Sequence, residues 1–222
     1  AREVHIIEEP MAAAIGIDLP VYEPRGNMVI DIGGGTTDIG VISLGGLVHS
    51  RNVKVAGDRF DADIIGHARN EFKILIGEKS AEELKIALAS VAAGRDRLEA
   101  LVRGRDLVTG LPREIVMTDQ DIRNAIGHSV EELIESVKEV LEATPPELIA
   151  DIMQRGAYLV GGGALIRGLS GFISESVGIP VIVDADPLTA VVRGTSVVLN
   201  DLNMYRDAIQ KSDDEHRQAD VF

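Results

Sequence analysis

The sequence predicts an α/β fold, and three observations carry that expectation. Two short β-branched runs, Asn27 to Ile30 and Ile39 to Ile42, flank a glycine-rich turn, Asp31-Ile32-Gly33-Gly34-Gly35-Thr36-Thr37-Asp38. A long stretch from Asp119 to Ala143 places Ile122, Ile126, Val130, Leu133, Ile134, Val137 and Leu141 on one helical stripe. The last third alternates strand-like and helix-like segments, the pattern of helices packed on a sheet.

The elements follow in order. Val4 to Ile7 is an apolar strand, and Pro10 and Gly16 punctuate the start and end of a short helix. After the glycine hairpin, Leu47 to Val55 is a further strand. Asp58 is expected to cap a helix running to about Leu75, with Ile64, Ile65, Ala68 and Phe72 on its buried face. Ser80 and Glu83 form an S-x-x-E box that should open the next helix, which carries Leu84, Leu88 and Val91. Leu98 to Val102 and Glu114 to Met117 alternate as strands around the turn-rich Gly104 to Pro112. Residues 58–118 therefore form a small inserted α+β subdomain, splitting a core subdomain into 1–57 and 119–210. The long helix ends at Thr144-Pro145-Pro146-Glu147, which also starts another. Gly156 to Val160 is a strand, Gly161 to Gly163 a turn, Ala164 to Val177 a helix, Ile179 to Val183 a strand and Pro187 to about Leu199 a helix. Residues 211–222 form a polar tail.

Composition narrows the function. With 222 residues and 45% hydrophobic content the chain can bury a core. Its 22 basic and 36 acidic residues give a formal charge of −14, and it has no Trp, so nucleic acid is not an expected partner. The absence of cysteine excludes disulfides and thiolate chemistry and fits a reducing cytoplasm. No apolar run reaches the roughly 20 residues of a membrane span. The opening on a strand without an initiator Met is expected of a piece of a longer protein.

Three successive glycines let backbone N–H groups close on an anion, while Thr36, Thr37 and the flanking carboxylates can serve phosphate, water or metal. A Walker-type loop needs a lysine and leads into a helix, as does a dinucleotide loop. Here the chain turns back into a strand, as in the actin, heat-shock-chaperone and sugar-kinase ATPases. A second glycine cluster, Gly161-Gly162-Gly163-Ala164-Leu165, opens a helix whose N-terminus can face a nucleotide.

Six segments together closely resemble the MreB family of bacterial actin homologues, rod-shape cytoskeletal ATPases. They are Ile7 to Gly16, Asp31 to Thr37, Gly57-Asp58-Arg59-Phe60-Asp61, Thr144 to Leu148, Gly161 to Leu165 and Asp186 to Val191. The resemblance implies the second large domain of an actin-like (ribonuclease H-like) ATPase. The family's first phosphate loop and its membrane-inserting elements are absent from this chain. By motif, Glu9 would activate the attacking water, Thr36 would orient it, and Asp31 would hold Mg²⁺ through its hydration shell. Gly33, Gly34, Gly35 and Thr37 would contact phosphates, and Gly57, Gly161, Gly162, Gly163 and Ala164 would line the nucleotide. Glu82 and Lys85 would bracket the adenosine. Two of these assignments have structural alternatives. Glu9 also suits the helix dipole, and Glu82 with Lys85 also suits a solvated ion pair.

The implied protein binds ATP with Mg²⁺, polymerises head to tail, and organises cell-wall elongation machinery at the cytoplasmic face of the membrane. This chain alone is expected to bind nucleotide weakly and not to turn it over. A heat-shock-type chaperone ATPase domain and a small-molecule kinase on the same fold are the alternatives. The first would carry a longer insert and the second a base aimed at a substrate hydroxyl.

Overall fold

The computed structural model describes residues 3–92, 94 and 97–210. A short strand β1 (Ile6–Ile7) leads into α1 (Glu9–Gly16), whose residues from Pro10 to Gly16 are all buried. Strands β2 (Asn27–Ile32), β3 (Thr37–Ser43) and β4 (Gly46–Val53) form an antiparallel meander. Then come α2 (Gly57–Glu71), β5 (Ile74–Leu75), α3 (Glu78–Leu88), β6 (Glu99–Asp106), β7 (Pro112–Thr118), α4 (Asp119–Ala143) and α5 (Pro146–Arg155). Strand β8 (Ala157–Val160), a 3₁₀ turn (Gly162–Leu165), α6 (Leu169–Val177), β9 (Val181–Val183), a second 3₁₀ turn (Pro187–Thr189), α7 (Ala190–Asn200) and β10 (Ile209–Gln210) complete the order.

The main sheet has five strands in the order β4-β3-β2-β8-β9, with β8 parallel to β2 and β9 parallel to β8. Every residue of the central β2 is buried, and its side chains alternate between two apolar clusters. Met28, Ile30 and Ile32 face the cluster that holds the stripe of α4, while Val29 faces the one built from α1 and α7. Helices thus cover both faces of the sheet, as the fully buried β2 requires. A second sheet, β5-β6-β7, is antiparallel and packs with α2 and α3.

Local signals placed most elements. The bounds of α4 match the expectation because Thr118 caps it with a reciprocal box: its hydroxyl accepts from the Asp121 N–H, and the Asp121 carboxylate accepts from the Thr118 N–H. Four expectations are corrected. Helix α2 ends at Glu71 because Lys73 turns left-handed (φ 56°) and Ile74–Leu75 pair with β6. Its cap position is Ala56, so Asp58 lies inside the first turn. Helix α3 starts at Glu78, ahead of the Ser80 box, with Gly77 in the cap position. The helix expected from Ala164 is interrupted, because Ile166 is extended and Gly168 is left-handed (φ 80°), so α6 begins only at Leu169. The pairing of β1 with β10 was not foreseen, and the polar tail lies outside the described residues.

The end of the glycine hairpin is anchored by Thr37, which is fully buried and donates its hydroxyl to the Val55 carbonyl at 2.6 Å. Thr37→Val keeps the shape and leaves that carbonyl without its partner. We expect a loss of about 1–3 kcal/mol in urea unfolding; an unchanged midpoint would show the bond is dispensable.

Candidate functional site

The glycine loop is held from two sides. Within it, the Gly33 N–H donates to the Thr36 carbonyl at 3.0 Å. From α2, the N–H groups of Gly57 and Asp58 donate to the carbonyls of Gly33 (3.1 Å) and Gly34 (2.8 Å). The first amides of α2 therefore fix the loop and are not free for an anion, and the loop itself must offer the donors. A Cβ on Gly57 would lie 3.3 Å from the Gly34 Cα and 3.2 Å from the Lys85 Nζ, so glycine permits this approach. The Lys85 Nζ in turn donates to the Gly57 carbonyl (2.9 Å) and to Asp61 (2.8 Å), tying α3 to the start of α2. Its charge is matched by Asp61, so it is not an unpaired cation awaiting phosphate.

The second glycine cluster meets the first across the end of β2. Gly161 is left-handed (φ 78°), and a Cβ there would fall 2.4 Å from the Asp31 carboxylate. A Cβ on Gly163 would fall 2.2 Å from the Ile32 side chain. Arg167 fastens this loop to α3 by donating to the carbonyls of Ala89 (3.2 Å) and Ala87 (3.1 Å).

Between the loops lies a cleft of about 510 Å³. Gly33, Gly34, Gly57, Glu82, Lys85, Gly162 and Gly163 line it, drawn from four separate stretches of the sequence. Gly35, Thr36, Thr37, Gly161 and Ala164 do not. Thr37 is committed to Val55, and Gly161 shapes the turn beside Asp31. Reading the sequence missed the apolar wall formed by Phe60, Ile86, Leu165, Ile166 and Leu188, together with Arg167. Ile86 carried a usable signal. Leu84 and Leu88 mark the buried stripe of α3, and Ile86 stands off it, 77% exposed. The cleft thus has glycine amides at one end and aliphatic side chains at the other, the two surfaces that phosphates and a flat base need.

Three carboxylates gather beside the loop. Asp31 and Asp38 are directly paired across β2 and β3, and like charges so placed repel. Asp31 is only 4% exposed. Burial first, and then the charges of Glu9 and Asp38, push its pKa up to about 6. Glu9, exposed in the first turn of α1, is also raised, by partial desolvation and then by Asp38. Asp38 accepts a hydrogen bond from Asn52 at 2.8 Å. Among the described residues no group of three or more His, Cys, Asp or Glu is placed to ligate a metal directly. A single buried carboxylate next to a glycine loop fits Mg²⁺ held through its own waters.

The family model described as MreB/Mbl protein matches residues 1–207. The cell shape-determining protein Mbl of Bacillus subtilis is 46% identical over 202 residues, which are 91% of this chain and 61% of that protein. The cell shape-determining protein MreB of Escherichia coli is 48% identical over 205 residues, 92% of this chain and 59% of that one. The chain therefore spans about three fifths of the length of these relatives. Among solved structures, MreB5 of Spiroplasma citri bound to AMPPNP superposes with a TM-score of 0.86 at 38% identity, covering 90% of this chain and 60% of that one. The same protein bound to ADP gives 0.85. A MamK filament, 23% identical, shares the fold at a TM-score of 0.72 over 87% of this chain and 59% of that one. The architecture is that of the bacterial actins.

Proposed function

Because the chain belongs to the MreB/Mbl protein family, we propose that it carries the nucleotide-binding unit of a filament-forming bacterial actin that determines cell shape. The observation that carries this reading is the cleft itself, where two glycine loops converge on one side and α3 presents Glu82, Lys85 and Ile86 on the other. The nucleotides named for the similar Spiroplasma protein support the same ligand class here.

ATP would lay its phosphates on the glycine loop, where the Gly33 amide is held by Thr36 and those of Gly34 and Gly35 would meet the anion, and its base against Ile86 and Leu165. Glu82, which lines the cleft, would accept hydrogen bonds from the sugar hydroxyls. Asp31 would hold Mg²⁺ through water, and the ion would neutralise charge on the transferred phosphoryl group. Glu9, with its affinity for protons raised, is suited to orient an attacking water and draw on its proton. Thr36, half-buried at the end of the loop, would align that water. In the whole protein these steps would serve ATP hydrolysis within a head-to-tail polymer on the cytoplasmic face of the membrane, organising cell-wall elongation machinery. Among the described residues no helix is long and apolar enough to cross a membrane.

Calorimetric titration of the chain with ATP and with ADP, with and without Mg²⁺, tests this reading. Weak, Mg²⁺-enhanced binding is expected, and Ile86→Asp should weaken it at least about tenfold by placing a carboxylate against the base. No binding, or binding indifferent to Ile86→Asp, would overturn the placement. Turnover at the rate of an intact relative would overturn the expectation that this chain is inert by itself.

A further inference from the structure

A run of three glycines has no fixed shape of its own, so groups outside the loop must aim its N–H groups. The peptide planes show which groups do so. The Gly33 carbonyl shares a plane with the Gly34 N–H, and the Gly34 carbonyl with the Gly35 N–H. Both peptides are trans, so each N–H points opposite to the carbonyl of its plane. The first two amides of α2, those of Gly57 and Asp58, hold these two carbonyls. The amides of Gly34 and Gly35 are thereby turned away from α2 as a pair.

The start of α2 has little local support. Ala56 stands in the cap position and supplies no side-chain hydrogen bond. The group that reaches it is the Lys85 ammonium from α3, which donates to the Gly57 carbonyl and to the Asp61 carboxylate. The two charged side chains are well covered, 16% exposed for Lys85 and 14% for Asp61. The second Asp61 oxygen is buried and has no hydrogen-bond partner among the described residues. Burial raises the Asp61 pKa, against the opposing pull of the Lys85 hydrogen bond and charge. Among the described residues Lys85 is the only cation paired with this carboxylate, and Asp61 in return fixes where the ammonium lies. Two of the three Lys85 N–H donors are thus spent inside the protein.

We infer that Lys85 is a positioning residue: held by Asp61, it steadies the first turn of α2 and, through Gly57 and Asp58, orients the Gly34 and Gly35 amides for phosphate. The inference rests on the nucleotide reading above and changes the part of Lys85 in it, from bracketing the adenosine to setting the loop at the other end of the cleft. Helix α3 then supports both glycine loops. It holds the first through Lys85 and the second through the Ala87 carbonyl and, just past its end, the Ala89 carbonyl, which accept from Arg167. The spacing between the loops follows from one helix.

Two substitutions test the linkage. Lys85→Met keeps the aliphatic stem and removes the donors, and Asp61→Asn removes the charge that holds them. In the ligand-free chain, NMR-detected hydrogen exchange at the Gly57 and Asp58 amides should be at least about tenfold faster in each variant, with the strands of the main sheet unchanged. Calorimetric titration with ATP and with ADP should show each variant binding at least about tenfold more weakly. The double variant should bind no more weakly than Lys85→Met, because both changes break one linkage. Adenosine, which has no phosphates, should bind parent and variants alike. Asp61→Asn gives the sharpest contrast, since a Lys85 that contacted phosphate directly would be freed by it and would bind ATP more tightly. That result overturns the inference. Adenosine binding that falls in step with ATP overturns it as well, as do additive losses in the double variant. Unchanged exchange at the two amides with ATP binding equal in parent and variants removes the linkage and leaves the nucleotide reading standing. Faster exchange in both variants of a chain that binds neither ATP nor ADP keeps the linkage and removes the nucleotide reading.

Discussion

Gly194→Val is expected to destabilise the chain by more than about 3 kcal/mol, or to prevent folding. Gly194 lies where α7 crosses α1, and a Cβ there would fall 1.7 Å from the Ala12 carbonyl oxygen. Gly16 forms the other half of the crossing, with a Cβ position 1.9 Å from the Ala190 carbonyl oxygen. The atoms in the way are helix backbone, which cannot swing aside as a side chain can. Separating the helices would open the cluster of Met11, Ala14, Ile15 and Val198 that covers one face of the sheet. Gly66, inside α2 with nothing within 4 Å of its Cβ position, is the control. Gly66→Ala should stabilise by roughly 0.5–1 kcal/mol through helix propensity alone. Thermal unfolding of both variants measures the contrast, and a Gly194→Val chain as stable as the parent would refute the close crossing.

That crossing marks the boundary of what the sequence makes legible. The limits of α4 could be read because Thr118, Asp121 and Pro145 act within a turn or two of their own positions. The hairpin between β2 and β3 could be read for the same reason, since glycines between two β-branched runs leave few other solutions. Gly16 reads locally only as the end of a helix and Gly194 as a small residue, because the packing reason for each lies on the other helix. The pairing of β1 with β10 joins segments about 200 residues apart, and nothing local announces it. The site divides in the same way. Glycine loops have a signature in their own composition, whereas Leu165 and Leu188 become walls only when α3 faces them. The signature does not separate the tasks of its members: Thr37 and Gly161 belong to the motifs, and in the fold one tethers a strand and the other makes room for Asp31.

Asp31→Asn should have two effects of opposite value. At neutral pH the Asp31 carboxylate is buried beside Glu9 and Asp38, and its pKa is held at about 6 against an ordinary 3.8. The folded state therefore takes up this proton more readily than the unfolded state. Its favourable contribution is complete below about pH 4 and is lost as pH rises through 6, so at pH 7 the ionised group opposes folding. A displacement of that size corresponds to about 2–3 kcal/mol at most. Asparagine keeps the shape without the charge. Urea unfolding should show the variant more stable than the parent at pH 7, with the difference shrinking toward zero as pH falls to about 4. The same substitution should abolish the enhancement of nucleotide binding by Mg²⁺, because the carboxylate whose field the ion would neutralise is gone. Stability selection alone would not retain such a group at the centre of the sheet. A cation at the site would turn its electrostatic cost into binding energy. If the variant is less stable at pH 7, the burial argument fails. If it is more stable but still responds to Mg²⁺, the ion is held elsewhere and Asp31 has no part in it.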